Sequence, residues 1–383
     1  LKEWPCKRFQ HTKKHWGNNR GFVLETKKFL FTTTFYPPYC LGGDAFAVKY
    51  LAEALACRGH DVSVMHSIDA FRLKSKKAVA SEEQGLVNVF PIKSRIAFPE
   101  PLSAFFLGNS PKAKRLFEKL LQKKPDIVHH HNISLLGFDL LKKRGNYCNI
   151  YTAHDDWLLR QNILQFWRKL PAFKQAIESI DFAIAPSNWM KRTLETKIKN
   201  KIVVLPNFVP APRVQKESRK KDFFLFVGSL EKQKGILELV EAISETGKKL
   251  VIAGEGSLYG KITKTINSKR LQERISLAGW QSRKTLFLLY SEAQALVLPS
   301  LSNENCPLAA LEAMACGTPI IVSNVGGLPE IAEKISEKLI FRQNNLKQKI
   351  LSYNRAEFPN VQSAFEQNFS ETAFLKKYLG FFG

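Results

Sequence analysis

The chain has 383 residues, 44% of them hydrophobic and 24% charged, a composition that excludes wholesale disorder, a collagen repeat and a bundle of membrane-spanning helices. Lys and Arg number 58 against 34 Asp and Glu; of the net +24, +16 falls in residues 1–200 and +8 in 201–383. That excess suits anionic partners such as phosphates or an acidic membrane surface, or else a solubilising coat of lysines, while no zinc-finger spacing or aromatic-basic box speaks for nucleic acid.

Residues 1–27 are polar, basic and aperiodic and lack the apolar core of a signal peptide, so they are expected to be a disordered extension. From Lys28 the pattern turns to strand, loop and helix. KFLFTTTF (28–35) is apolar and β-branched, and YPPYCLGG (36–43) is a Pro/Gly loop. Val48, Leu51, Ala52 and Leu55 then follow at helical spacing up to Gly59. DVSVMH (61–66), PDIVHHH (125–131), CNIYTAH (148–154) and DFAIAPS (181–187) predict further strands. A second series starts at FFLFVGS (223–229) and runs through KLVIAG (249–254), RISLAG (274–279), AQALVLPS (293–300) and TPIIVS (318–323). Helices are expected from about Ile236 and near Leu328.

This alternation predicts an α/β protein with two doubly wound, Rossmann-like parallel sheets. The expected layout is an N-terminal domain over 28–208, a linker over 209–222 and a C-terminal domain over 223–345. A helical tail over 346–383 has the option of returning to the first domain. Ligands of such sheets bind at the carboxyl ends of the strands, which places the expected site in the cleft between the domains. The six cysteines are scattered without a C-x-x-C pair, so neither structural zinc nor a disulfide scaffold is expected, and a reducing, cytoplasmic setting is the default.

The densest chemistry lies in LSNENCPLAALEAMACGTP (301–319). Pro307 stands where a helix starts and Gly317 where it stops, and Leu308, Leu311, Glu312 and Ala315 share one face. Glu312 therefore points inward, and no Lys or Arg in 301–329 is there to pair it. Vicinal hydroxyls of a ribose would satisfy it; bonds to backbone are the other reading. Glu304 lies just ahead of the helix, where free N–H groups of Asn305, Cys306 and Leu308 suit an anion or sugar oxygens. Gly42-Gly43 reads either as an ordinary turn or as bare backbone for a closely approaching ligand. Of His129, His130 and His131 only the first and third share a strand face, and with no further ligand identifiable no metal site is expected.

Glu304 and Glu312 spell E-x7-E inside NENCPLAALEAMACGTPII, which resembles the signature of the retaining GT-B glycosyltransferases of family 4. FYPPYCLGGDAFAVKYLAEALACRGHDVSV, IVHHHN, YTAHDDW, APSNWMK, VLPNFV, FVGSLEKQKGILELVEA and LVIAGEGS resemble its other segments in order, over about residues 28–340. The resemblance implies that Glu304, with the backbone of Asn305, Cys306, Pro307 and Leu308, holds the donor sugar and Glu312 the nucleotide ribose. It further implies Lys234 against the diphosphate, Gly42 and Gly43 beside diphosphate and acceptor, and His154 beside the sugar. Relatives carry Arg after the strand glycine, whereas this chain has Gly228-Ser229-Leu230, leaving Lys234, Lys232 or another cation to serve the phosphates.

The expected function is retaining transfer of a sugar from a UDP- or GDP-sugar to a hydroxyl of a glycan or lipid-linked acceptor, with no divalent metal or other cofactor required. A nucleotide-sugar-binding homologue without activity and a GT-B epimerase or phosphorylase are the rivals. The stretch IAFPEPLSAFFLGN (96–109) is read either as a core helix and loop or as a contact with an anionic membrane surface.

Overall fold

The computed structural model describes residues 26–75, 85–157, 169–196, 198–199, 201–212 and 221–382; the expected extension lies almost wholly outside them, as does much of the linker. In the first lobe β1 (Lys28–Thr32), α1 (Gly43–Ala56), β2 (Asp61–Ser67), α2 (Ile68–Lys74), β3 (Asn88–Ile92), α3 (Pro99–Leu107) and α4 (Pro111–Leu121) come first. They are followed by β4 (Ile127–His130), β5 (Cys148–Thr152), α5 (Pro171–Glu178), β6 (Phe182–Ala185), α6 (Asn188–Glu195) and β7 (Lys201–Val204). The second lobe holds β8 (Phe224–Val227), α7 (Ile236–Ser244), β9 (Leu250–Ala253), α8 (Tyr259–Ser268), β10 (Ile275–Gly279), α9 (Arg283–Glu292) and β11 (Ala295–Leu298). It continues with α10 (Leu308–Ala315), β12 (Ile320–Ser323), α11 (Leu328–Ala332), β13 (Ile340–Phe341), α12 (Leu346–Ser352), α13 (Val361–Asn368) and α14 (Glu371–Leu379).

All strand pairs are parallel, in the orders β3-β2-β1-β4-β5-β6-β7 and β10-β9-β8-β11-β12-β13. Strand direction of growth reverses between β1 and β4 in one sheet and between β8 and β11 in the other. Loops leaving those neighbours diverge to opposite faces and leave a crevice at each switch point. The central strands are the apolar runs legible in the sequence because a parallel sheet covered by helices buries both faces. Alternation in β1 divides the core: Phe29 and Phe31 pack with α1 and α14, and Leu30 joins Val128, Tyr151 and Phe117 on the other face. β3, β7 and β13 were not anticipated. They are sheet edges, short and only partly buried; β3 is interrupted by Pro91 and β13 has two residues, whereas β7 does carry an apolar run, Ile202-Val203-Val204.

Helix α14 lies against the first sheet although it follows the second. Its Tyr378 is buried, with the hydroxyl 2.9 Å from His129 Nδ1 and the ring stacked on that imidazole, and Glu371 pairs with Arg58 at 2.7 Å. Cys40, Cys148, Cys306 and Cys316 are in no disulfide, while Cys57 is disulfide-bonded, which the scattered spacing gave no reason to expect. Among the described residues no helix is long and apolar enough to cross a membrane.

Because a buried aromatic ring fills the seam between α14 and the first sheet, Tyr378→Ala is expected to cost about 3–5 kcal/mol. The midpoint of urea unfolding measures this, and a loss below about 1 kcal/mol would mean the tail adds little to the fold.

Candidate active site

The site is assembled where the two switch points meet. The loop after β11 passes through Glu304 into α10, and the loop after β8 makes a short 3-10 turn, Lys232–Lys234. Gly235 ends that turn in the left-handed region at φ +67, and a Cβ there would collide with the carbonyl oxygen of Pro299. This close approach puts Lys234 Nζ 2.5 Å from Glu304 Oε1, which also accepts from Ser300 Oγ at 3.0 Å. Gly326, at φ +60, lets the loop after β12 lie directly on the Glu304 backbone, and Gly327 N donates to Glu304 O at 2.7 Å. Glu304 is thus held from three segments.

Polar side chains bind the lobes together around it. Asn305 accepts from Ser187 Oγ at 2.7 Å and donates to Ala153 O at 2.8 Å, while Asn207 donates to Cys306 O at 2.9 Å. Glu330 of α11 accepts from the backbone N–H groups of Asn188 and Trp189 and from Asn188 Nδ2, at 2.7, 2.7 and 2.9 Å. A carboxylate at the positive end of α6 is favourably placed. Across the same gap Gly43, the first residue of α1, faces Leu308, the first residue of α10. The N-terminal ends of α1 and α10, whose first N–H groups have no partner within their own helices, are thus brought together, and Glu304 with its Lys234 partner lies four residues ahead of Leu308.

At Gly42 and Gly43 the protein itself does not demand glycine. Gly42 is extended, and an added Cβ would meet only Asp44 Oδ1 at 3.3 Å; at Gly43 it would meet Leu308 Cγ at an ordinary 3.6 Å. A requirement for bare backbone there has to come from a bound molecule.

Glu312 is buried, as its place on the apolar stripe predicts, and it has protein partners that neither reading of the sequence named. Arg283 Nη2, from α9, donates to Oε1 at 2.8 Å and Tyr290 OH to Oε2 at 3.1 Å. Burial pushes its carboxyl pKa up, and Arg283 foremost, then the hydrogen bonds, opposes the rise. The alternative of backbone bonding is not what is found either; both recorded partners are side chains.

His154 follows β5, its Nε2 3.0 Å from His131 Nδ1. The His131 ring lies 4.0 Å from that of His129, tilted by 31°, and His129 Nε2 meets Thr152 Oγ1 at 2.7 Å. His131 is buried, and its Nε2 has no hydrogen-bond partner. Among the described residues no group of three or more His, Cys, Asp or Glu is arranged to hold a metal ion. Burial pushes His129 and His131 well below the usual imidazole range, with the neighbouring imidazoles adding to it. It also lowers His154, against the pull of Asp44. Ser229 and Lys232 are exposed.

Sequence reasoning missed Arg283, Tyr290, Ser187 and Glu330. Only Glu330 had a local signal, a carboxylate in the first turn of the helix that follows Gly326-Gly327. The others come from distant segments.

A family model described as Glycosyltransferase Family 4 matches residues 41–213, and one described as Glycosyl transferases group 1 matches residues 210–364. The chain is 33% identical over 232 residues to an uncharacterized glycosyltransferase of Methanocaldococcus jannaschii, covering 59% of this chain and 64% of that protein. Its fold superposes on sucrose-phosphate synthase from Thermosynechococcus elongatus with a TM-score of 0.73 at 20% identity, over 93% of this chain and 98% of that one. An Anabaena protein solved in complex with UDP and glucose gives 0.60 at 15% identity, over 93% and 99%.

Buried histidines elsewhere in the first lobe, His66 and His130, make stability depend on pH. Burial lowers His66 to about 4 and His130 to about 3, whereas unfolded imidazoles titrate near 6.5. Below about pH 6.5 the unfolded chain takes up protons that the folded rings refuse, so stability is full above that value and falls as pH drops towards about 4, by up to about 1.4 kcal/mol per unit for each such ring. Urea midpoints are expected to be level from pH 8 to 7 and to decline from pH 6.5 to 5; level midpoints down to pH 5 would contradict neutral buried histidines.

Proposed function

Because the chain belongs to the GT-B glycosyltransferases of family 4, we propose that it moves a sugar from a nucleoside diphosphate donor to an acceptor hydroxyl with retention of configuration. The observation that carries this reading is the meeting of the α1 and α10 N-termini beside Lys234 and Glu304. A diphosphate in that space would be met by main-chain N–H groups and one ammonium, with bare backbone at Gly42 and Gly43 to admit it. Glu304 and the backbone from Asn305 to Leu308 hold the sugar, Glu312 holds the ribose, and His154 lines the sugar pocket. The carboxylate of Glu312 fits a vicinal diol, since two of its four lone-pair sites are still open after Arg283 and Tyr290 are counted.

In this mechanism the acceptor attacks the face from which the diphosphate leaves. The departing charge is stabilised by Lys234 and the helix ends, without a divalent cation. Lys234 shares its charge with Glu304 when the site is empty and turns to the phosphates when they arrive. The interlobe bonds of Asn305 and Glu330 hold the cleft shut and keep water from the donor. A UDP- or GDP-sugar is the donor, and the Anabaena neighbour, bound to UDP and glucose, supports the uridine form.

The acceptor is a glycan or a lipid-linked sugar at a cytoplasmic membrane face. Helix α3 and the residues leading into it expose Ile96, Phe98, Leu102, Phe106 and Leu107, a run of apolar side chains larger than scattered surface residues. Lys93, Arg95, Lys112 and Lys114, all exposed, flank it in the chain. Apolar side chains ringed by cations suit the interface of an anionic bilayer.

Assays with UDP- and GDP-sugars test the reaction: Glu304→Ala is expected to lower transfer by about 10²-fold or more, and unchanged transfer would remove Glu304 from the site. Nucleotide binding without transfer or donor hydrolysis would favour the inactive homologue, and phosphate-dependent release of a sugar phosphate would favour a phosphorylase. Sedimentation with phosphatidylglycerol-rich vesicles is expected to carry down the wild type and leave the F98E/L107E variant in solution. Equal partition of the two would reject the membrane contact.

A further inference from the structure

Arg283 is in an unusual place for a cation. It is the first residue of α9, where the N-terminal end of the helix dipole opposes positive charge, and on its own helix the ring of Phe287 faces it. Its guanidinium lies 4.7 Å from the ring centre of Tyr50 and 5.3 Å from those of Phe46 and Phe287. Phe46 and Tyr50 are one turn apart on α1, in the opposite lobe, and so present one face to α9. From this aromatic seat Arg283 Nη2 reaches Glu312 Oε1 at 2.8 Å. Tyr290, two turns further along α9, meets the other carboxylate oxygen at 3.1 Å, and Thr318 Oγ1 donates to the Tyr290 carbonyl.

We infer that Arg283 is a positioning residue for the nucleoside: seated between the lobes on Phe46 and Tyr50, it aims the Glu312 carboxylate at the ribose diol only when the lobes are closed. This rests on the assignment of Glu312 to the ribose.

The chemistry follows from donor counting. A carboxylate accepts four hydrogen bonds, and Arg283 and Tyr290 take one on each oxygen. One acceptor position per oxygen is left, the number that a pair of vicinal hydroxyls needs. Both protein donors reach the carboxylate from α9, so its rotation is fixed before a nucleotide arrives. Burial favours the neutral acid, and a guanidinium, which keeps its proton at any ordinary pH, preserves the stronger, charged acceptor. Helix α1 supplies two things from one rigid body, the Gly43 end against α10 and the aromatic seat for Arg283. Opening the cleft withdraws the seat and loosens the carboxylate, so nucleoside affinity and closure rise together.

The test is calorimetric binding of UDP, GDP and their 2′-deoxy analogues to the wild type and to Arg283→Met, Arg283→Lys, Phe46→Leu/Tyr50→Leu and Glu312→Ala. Arg283→Met is expected to weaken the ribonucleotide that the wild type binds by about tenfold and to erase most of its preference over the deoxy form, because a loose carboxylate no longer rewards the diol. Arg283→Lys recovers part of both, as a cation without the planar fork should. Removing the aromatic seat matters in the wild type and adds little once Arg283 is gone. A merely structural ion pair would shift the melting temperature and leave the ribose-to-deoxyribose ratio unmoved, which overturns the inference. Tighter binding by Arg283→Met overturns it too, since Arg283 would then be a competitor of the ribose. Full affinity in Glu312→Ala, or no nucleotide binding by the wild type, removes the ribose assignment itself. Weak binding in Glu312→Ala with an unaffected Arg283→Met removes only the role of Arg283. If Arg283→Met does not fold, the Lys and Phe46/Tyr50 variants carry the same comparison of ribose with deoxyribose.

Discussion

The arrangement depends on a small set of polar bonds that cross between the lobes. Asn305 is the centre of it: its amide oxygen accepts from Ser187 and its amide nitrogen donates to the end of β5, so the chain entering α10 is tied to the first lobe from both sides of one side chain. Glu330 adds three hydrogen bonds from a charged acceptor to the start of α6. Bonds to a charged group are roughly twice as strong as neutral ones, and two of the three are made to backbone N–H groups that no other part of α6 can satisfy. The closed cleft therefore follows from satisfying helix ends, and the space for a ligand is what remains between them.

Within that space charge is arranged unevenly. Glu304 and Lys234 neutralise one another directly, so the pair offers both a cation and an anion to whatever enters. Glu312 is paired from α9, by Arg283 and Tyr290. The imidazoles of His129, His131 and His154 form a neutral, buried column ending at Tyr378 of the C-terminal helix. This column holds the His154 ring through His131, and it makes the return of α14 to the first sheet part of the same support.

Much of this was written locally. The strands at the centre of both sheets show as apolar runs because they are covered on both faces, and the start and stop of α10 are fixed by Pro307 and Gly317, at φ +67, within a single turn of each end. Among the edge strands β13 has two residues and β3 is broken by Pro91, which leaves little pattern, although Ile202-Val203-Val204 of β7 is as apolar as a central strand. The inward face of Glu312 followed from helical spacing alone, and its partner did not.

What the sequence alone determined, then, was everything set by near neighbours along the chain: two α/β units, the glycine turns, the helix carrying Glu304 and Glu312, and the family resemblance those spacings carry. Only the tertiary structure decided which groups meet. Arg283 reaches Glu312 from 29 residues away, His131 lies beside His154 from 23, and Glu330 caps Asn188 from 142. The reason is physical: helix and strand periodicity act through residues a few positions apart, whereas a buried charge takes its partner from whatever the order of strands and the closing of the lobes bring within hydrogen-bond reach.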